Sequence, residues 1–480
     1  MANWAEKTYI ARGGVNLDLS DEELDSLFSD ALAKVRSDLA DAGKGPTLIL
    51  PPDVTRFHSR AGFFTDIAYR ELEGKPRPGC APSPVTVLPA LGTHMAMNKD
   101  ELGRMFPQTP PDKFRAHDWR NDVVELGRLP ADWVEKVSAG AVKYDWPVQV
   151  NKLLRDGNVS AKDASAAKFS LILSIGQVVP HEVIGMANHA KNIFVGTGGK
   201  EAIDKSHFMG ASYGMERMMG RADTPVRALF DEGYRRFGDQ LPSIFWVLTV
   251  VGARGEQEAA AAGRSGGSGN PAGSGNPVGS LAVRGLYAGF GRDCFEQAAA
   301  LARQVNVDIM DEPVQKAVVY LEPEEFRTTW LGNKAIYRTR MAMADGGELL
   351  ILAPGLERFG EDKGIDALIR KHGYRPGKVI QERAAADPEL RANLSAAAHL
   401  IHGSSEGRFT VRYCPGPGLS RAEIESVGYE WGDLKANLAR YDINKLKLGW
   451  NTLPDGERIF FVPNPALGLW AEKKRFNSSN

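Results

Sequence analysis

At 480 residues, the chain exceeds the ~100–200 residues of an ordinary domain, which excludes a single small binding module and predicts two or three domains. A composition 43% hydrophobic and 25% charged is that of a folded globular protein and excludes pervasive disorder. With 59 Lys plus Arg against 60 Asp plus Glu, the formal net charge is −1, so no global field gathers nucleic acid or anionic lipid and small-molecule chemistry is the default expectation.

The first residues, Met1-Ala2-Asn3-Trp4-Ala5-Glu6-Lys7, lack the apolar stretch of a secretory signal. Apolar runs such as Ile244–Gly252 fall short of the ~20 residues that span a bilayer. Ser20 with Glu23 forms a capping box, and Leu24, Leu27, Phe28, Ala31, Leu32 and Val35 share one face of the helix that follows. After Gly43-Lys44-Gly45-Pro46, the run Thr47–Leu50 predicts a strand, followed by a helix over 55–72. Val85–Leu88 predicts a second strand ahead of a helix over 98–106. Further strands are predicted at Leu171–Leu173 and Ile193–Val195. Alternating strands and helices predict an α/β domain whose site lies at the carboxyl ends of its strands.

The stretch 254–280, with Gly-Ser-Gly-Asn-Pro repeated, reads as a flexible linker or loop. Beyond it a second α/β unit is expected, with helices over 294–304 and 333–344 and strands at 317–321 and 348–353. The domain expectation is therefore 1–253 for an N-terminal α/β cofactor-binding catalytic domain, 281–450 for a C-terminal α/β substrate-closing domain, and 451–480 for a tail packing back on the first. The fold class is two α/β domains with the active site in the cleft between them. The final apolar run, Ile459–Val462, suits the sheet of either.

Pro52-Asp53-Val54-Thr55-Arg56 stands where a strand hands over to a helix, so backbone N–H groups and the Arg56 guanidinium can converge on a phosphate or carboxylate. Helix capping by Asp53 or Thr55, with Arg56 on the surface, explains the same residues. His94 lies in a Gly-bearing loop after a strand, a usual place for an acid/base group. His181, His189 and His207 put three of the chain's nine histidines into one segment. They lack the His-Glu-x-x-His spacing of a zinc hydrolase, and Gly196–Lys200 departs from the phosphate-binding Gly-x-x-x-x-Gly-Lys-Ser/Thr. The three cysteines, Cys80, Cys294 and Cys414, form no Cys-x-x-Cys pair and fit a reducing compartment; we expect a cytoplasmic protein.

Three groups of residues together resemble the nickel-pincer-nucleotide lactate racemase family over roughly 45–210. These are Pro52–Arg56; Leu91-Gly92-Thr93-His94-Met95-Ala96-Met97 with Asp100-Glu101-Leu102; and Pro180-His181 with Lys191 and His207. A looser echo of the family's second domain lies around Trp330–Ala353. The resemblance implies an isomerase that uses a nickel pincer nucleotide, the nickel complex of pyridinium-3,5-bisthiocarboxylic acid mononucleotide. It implies Lys191 as the tether of that cofactor, His207 as nickel ligand, His94 and His181 as acid/base pair, and Asp53, Thr55 and Arg56 near cofactor or substrate anion. Cofactor-maturation enzymes are implied as partners, with neither nucleic acid nor membrane.

The chemistry is coherent. A 2-hydroxy acid has a poorly acidic α C–H, so moving hydride to an electrophilic ring and back avoids a carbanion, and each face needs its own base. In the second domain Trp330, Asn333, Lys334, Tyr337, Arg338 and Arg340 form a polar and aromatic set, with Asn333 and Lys334 as expected substrate contacts beside Arg56. The stretches 88–97 and 330–337 look more like family members acting on longer sugar acids, so a gluconate/mannonate 2-epimerase is expected, with lactate or malate racemisation as the alternative. A non-catalytic sugar-acid binding protein is the reading from another class. One departure stands out: relatives carry Ser-Gly-Gly-Arg-Lys where this chain reads Ala187-Asn188-His189-Ala190-Lys191, which puts the local backbone in question and leaves His189 unassigned.

Overall fold

The computed structural model describes residues 6–39, 45–74, 83–157, 168–254, 281–466 and 468–478. The chain divides into two compact units. The first comprises Met1–Ser206, Arg221–Glu256 and Leu281–Val305; the second takes His207–Gly220 and the chain from Asn306 onward. The expected linker, but for Arg254, lies outside the described residues.

The first unit is built on a six-stranded sheet in the order Thr8–Gly13, Leu281–Gly289, Ser243–Ala253, Leu171–Gln177, Thr47–Leu50, Val85–Val87. The last four strands run parallel, and the first two are antiparallel additions. Their near-continuous apolar sequences suit a sheet covered on both faces, and Thr47–Leu50 and Leu171–Gln177 are buried throughout. The helix Asp21–Leu39 begins at the expected capping box, with Ser20 Oγ accepting from the Glu23 N–H and Glu23 accepting from the Ser20 N–H. It buries Leu24, Phe28, Ala31, Leu32, Val35 and Leu39. Each large apolar side chain so buried contributes ~1.5–3 kcal/mol, and Phe28→Ala would cost ~3–5 kcal/mol.

The second unit has its own six-stranded sheet, in the order Glu430–Trp431, Thr410–Pro415, Met343–Ala353, Val314–Tyr320, Arg458–Val462, Gly449–Thr452. All its pairings are parallel except the last. Among the described residues no helix is long and apolar enough to cross a membrane.

Several expectations need correction. Leu281–Gly289 pairs along Ser243–Ala253, so the first unit continues past residue 281 to Val305; the strand completes a sheet that would otherwise end on an exposed edge. The C-terminal segment does not return to the first unit. Arg458–Val462 sits in the second sheet, and Leu469–Glu472 pairs in parallel with Val307–Met310. The single helix expected over 55–72 is a 3-10 turn, Val54–Ser59, then an α-helix, Ala61–Tyr69, broken at Arg60 with φ 65°. The run Ile193–Val195 is not a strand: Ala190–Phe194 is helical, too short an apolar run for periodicity to separate buried helix from strand. The helix expected over 333–344 is two short helices, Thr329–Gly332 and Lys334–Thr339, and the next strand starts already at Met343.

Candidate active site

Asp53, His94 and His181 each follow the carboxyl end of one of three adjacent parallel strands, Thr47–Leu50, Val85–Val87 and Leu171–Gln177. This is where open α/β sheets place their ligands. Asp53 caps the 3-10 turn that follows its strand, and one of its oxygens accepts from the Thr55 N–H at 3.1 Å and from the Thr55 hydroxyl. Its other oxygen, Oδ2, lies 2.5 Å from His94 Nδ1. Asp53 is buried, while the His94 ring is 59% exposed. Burial alone would raise the Asp53 carboxyl. The hydrogen bond and charge of His94, with Thr55 and Arg56, outweigh it and hold the carboxyl below its ordinary value.

A carboxylate can only accept, so His94 Nδ1 carries the proton in this pair and Nε2 is the basic nitrogen of the neutral ring. A buried carboxylate that fixes tautomer and direction is how proteins prepare a histidine as a base. His181 is set the other way. It is buried in the short ribbon of Pro180–His181 against Gly185–Met186, and its Nδ1 accepts from the Val183 N–H at 3.1 Å. The proton of the neutral ring therefore sits on Nε2. The two neutral rings are thus held in opposite tautomers, His94 with a basic Nε2 and His181 with Nε2–H. Glu182, which sequence reasoning overlooked, lies 3.8 Å from His181 Nδ1; its adjacency to His181 was the available signal.

Lys191 is half-buried on the short helix Ala190–Phe194. Among the described residues its ammonium makes no hydrogen bond or ion pair. Desolvation, reinforced by the Arg56 charge and only partly opposed by Glu182 and Asp53, pushes it down to about 8. A fraction of this lysine is thus free amine near neutrality, the form that acylates. Arg56, also half-buried, makes no ion pair among the described residues. Two unpaired cations near one another suit an anionic ligand.

The backbone before Lys191 is unusual. Asn188 has φ 70° and His189 has φ 58° with ψ −136°, so the positions where glycines stand in the resembling family keep a glycine-type conformation without glycine. For L-residues such conformations cost ~1–3 kcal/mol each. The loop Gly196–Lys200 needs its glycines for close approach: a Cβ at Gly198 would stand 2.0 Å from the Phe194 carbonyl oxygen, and one at Gly196 2.4 Å from that of Asn192. The loop is pinned by buried His117, whose Nε2 donates to the Gly198 carbonyl at 3.0 Å while Nδ1 accepts from Asn151.

His207 belongs to the second unit, half-buried on the helix Lys200–Tyr213, and the division between units falls between Ser206 and His207. Among the described residues no three His, Cys, Asp or Glu side chains gather as a metal site. Asn333 is fully buried, its Oδ1 accepting from the hydroxyls of Tyr413 at 2.8 Å and Tyr429 at 3.2 Å. Its Nδ2 is buried with no hydrogen-bond partner among the described residues. Lys334 is half-buried, 4.0 Å from Glu325 and over the Phe326 ring. Arg340 is buried and bonded to Glu216 at 3.1 Å. The second unit also holds a charged cavity of about 500 Å³ lined by Lys316, Glu348, Arg412, Trp431 and Arg440 among others. Its cations are each paired with carboxylates.

Fold and site thus define an α/β protein with a carboxylate-held histidine, a second buried histidine and an unpaired lysine gathered at the carboxyl ends of parallel strands. Residues 36–218 match the family model of the lactate racemase N-terminal domain, so this stretch is lactate-racemase-like. The structure is similar to the crystal structure of a Thermotoga maritima protein, at TM-score 0.70 and 22% identity over 96% of this chain and 100% of that one. It is also similar to the lactate racemase apoprotein of Thermoanaerobacterium thermosaccharolyticum, at TM-score 0.60 and 14% identity over 98% of this chain and 96% of that one. These likenesses show the fold. Comparison with curated proteins finds no match.

Proposed function

We propose that the chain is a racemase or 2-epimerase of 2-hydroxy acids, with a sugar acid of the gluconate/mannonate type as substrate, and that it works with a tethered nickel pincer nucleotide made by separate maturation enzymes. The observation that carries this reading is the oppositely preset histidine pair, His94 and His181, at the strand ends that also bring an unpaired, partly deprotonated Lys191. The lactate-racemase-like match of residues 36–218 supports it.

The residues fit the group. Lys191 has an ammonium without a partner, brought down to about 8 by its surroundings, which suits an amide-type link to the cofactor. His207 offers an imidazole of the kind nickel accepts. Arg56, with the Thr55 end of the 3-10 turn, suits a phosphate or the substrate carboxylate. When bound, the cofactor supplies an electrophilic ring that accepts the C2 hydride and returns it.

The chain's own work is proton transfer and orientation. His94 Nε2 takes the C2 hydroxyl proton of one stereoisomer, and the Asp53 carboxylate stabilises the imidazolium that forms. His181, when its ring is the imidazolium, returns a proton from Nε2 to the oxygen as the opposite isomer is made and is left neutral, and the roles reverse in the other direction. Loss of H⁺ and H⁻ leaves a 2-oxo acid, and their return restores the 2-hydroxy acid, so the reaction balances. The test is NMR of gluconate incubated with protein co-expressed with cofactor-making enzymes. Mannonate should appear, and no stereochemical exchange at C2 of any 2-hydroxy acid by protein bearing the cofactor would overturn the proposal.

A further inference from the structure

His189 is turned away from the site. Its ring packs against Trp246, with centroids 4.1 Å apart, and against Phe295 at 5.2 Å. Its Nε2 lies 3.0 Å from the Gly291 carbonyl, which can only accept, so Nε2 carries the proton, and buried Nδ1 has no partner among the described residues. Burial, with the Arg227 charge, pushes the imidazole down to about 3, so the ring is neutral and serves as an aromatic wedge.

The guanidinium of Arg227 also packs on the Phe295 ring, 4.2 Å from its centroid. Arg227 is wholly buried, and its Nη2 donates to the carbonyls of Met186 at 2.7 Å and Asn188 at 3.1 Å. Its Nε and Nη1 have no hydrogen-bond partner among the described residues. A charge so placed is costly unless it holds something in place, and what it holds is the two carbonyls flanking Ala187, immediately before the left-handed residues. Asn188 adds its own tie, its Oδ1 accepting from the His189 N–H at 2.7 Å. Gly176 leaves room for that side chain, since a Cβ there would stand 2.4 Å from Asn188 Nδ2. On the other side of Lys191, Asn192 Nδ2 donates to the Leu50 carbonyl and to Ser174 Oγ, both at 3.2 Å.

We infer that His189 and Arg227 are positioning residues: the ring wedged between Trp246 and Phe295 and the guanidinium on the Met186 and Asn188 carbonyls together hold a glycine-type turn without glycine, and so aim the Lys191 side chain. In a chain with glycines at these positions the turn is free to adopt the conformation but also free to leave it. Here residues ill-suited to the conformation are kept in it by the side chains of His189 and Arg227. The use of the clamp rests on the proposed tethering by Lys191; its existence does not.

The experiment is made on the full chain without cofactor. Lysine acetylation is followed by peptide mass spectrometry across pH, with exposed Lys435 as internal reference, and backbone amide hydrogen exchange is followed over residues 187–192. His189→Gly removes the ring while giving the backbone its freedom, so a role in mere strain relief would leave the turn at least as ordered. We expect faster amide exchange over 187–192 and a Lys191 labelling midpoint raised by about one pH unit or more as the ammonium gains solvent. Arg227→Lys, which keeps the charge but loses the forked donor, should shift both readouts in the same direction. Wild-type labelling and exchange in either folded variant overturns the inference. So does fast exchange of these amides in the unaltered chain, which needs no variant to fold. If both readouts move but Lys191 of active, cofactor-loaded enzyme carries no added mass, the clamp stands and the tether reading fails.

Discussion

Replacing Asp53 with Asn isolates the contribution of the carboxylate to His94. Asn is nearly isosteric and caps a helix start as well as Asp, so the contact with the Thr55 N–H at 3.1 Å survives and the 3-10 turn stays in place. What is lost is the charge on a buried oxygen 2.5 Å from His94 Nδ1. Hydrogen bonds to charged groups contribute ~1.5–3 kcal/mol. Because the imidazolium forms only as the hydroxyl proton is transferred, that loss falls on the transition state. A loss of ~2–3 kcal/mol is ~30–150-fold in rate, and more if the amide turns its NH₂ towards Nδ1 and reverses the tautomer. The assay is stereochemical exchange at C2 by cofactor-loaded enzyme, with kcat separated from KM; the fall should appear in kcat. Linkage gives a second readout. The folded Asp53 carboxyl lies below its ordinary value, so its contribution to stability is present above the unfolded pKa of ~4 and is lost as pH falls through the folded value. The Tm difference between wild type and Asp53→Asn should thus be largest near neutrality and shrink in acid below about pH 4. A folded Asp53→Asn enzyme with kcat within about threefold of wild type, a loss under ~1 kcal/mol, refutes the reasoning.

In cofactor-free protein, acetylation of Lys191 should titrate with a midpoint of about 8, and Arg56→Gln should raise that midpoint by removing a neighbouring positive charge; a midpoint at the ordinary lysine value near ~10.4 contradicts the environment described. Asn188→Gly should hold or raise Tm, whereas Asn188→Val, β-branched at φ 70°, should cost ~1–3 kcal/mol by chemical denaturation. Gly198→Ala places a Cβ 2.0 Å from the Phe194 carbonyl and should destabilise by ~1–3 kcal/mol or prevent folding. Asn333→Leu strips the acceptor from the buried Tyr413 hydroxyl, while Tyr429 keeps the Gly403 carbonyl, and should cost ~1–3 kcal/mol in stability; an unchanged Tm with an altered KM would support Asn333 as a substrate contact.

What the sequence disclosed follows from which signals are local. The capping box at Ser20 and Glu23, and the apolar runs at Thr47–Leu50 and Leu171, specify their elements within a few residues, and strand-loop-helix order places Asp53, His94 and His181 at strand ends. The pairing of His94 with Asp53 joins residues 41 apart in sequence, and only the parallel register of their strands brings them together. Ile193–Val195 was misread because a short buried helix and a buried strand share one apolar pattern. Leu281–Gly289 was misassigned because a strand that returns to a sheet after a long insertion carries no mark of which sheet it joins. His189 stays unassigned in the sequence because nothing local shows that Trp246 and Phe295, 57 and 106 positions on, pack against it.

The central claim, that Lys191 carries the cofactor with which His94 and His181 act, is tested most directly by the mass of the Lys191 peptide from protein co-expressed with cofactor-making enzymes and shown to exchange stereochemistry at C2. The account predicts added mass on that peptide and on no other lysine. Unmodified Lys191 in fully active protein contradicts it.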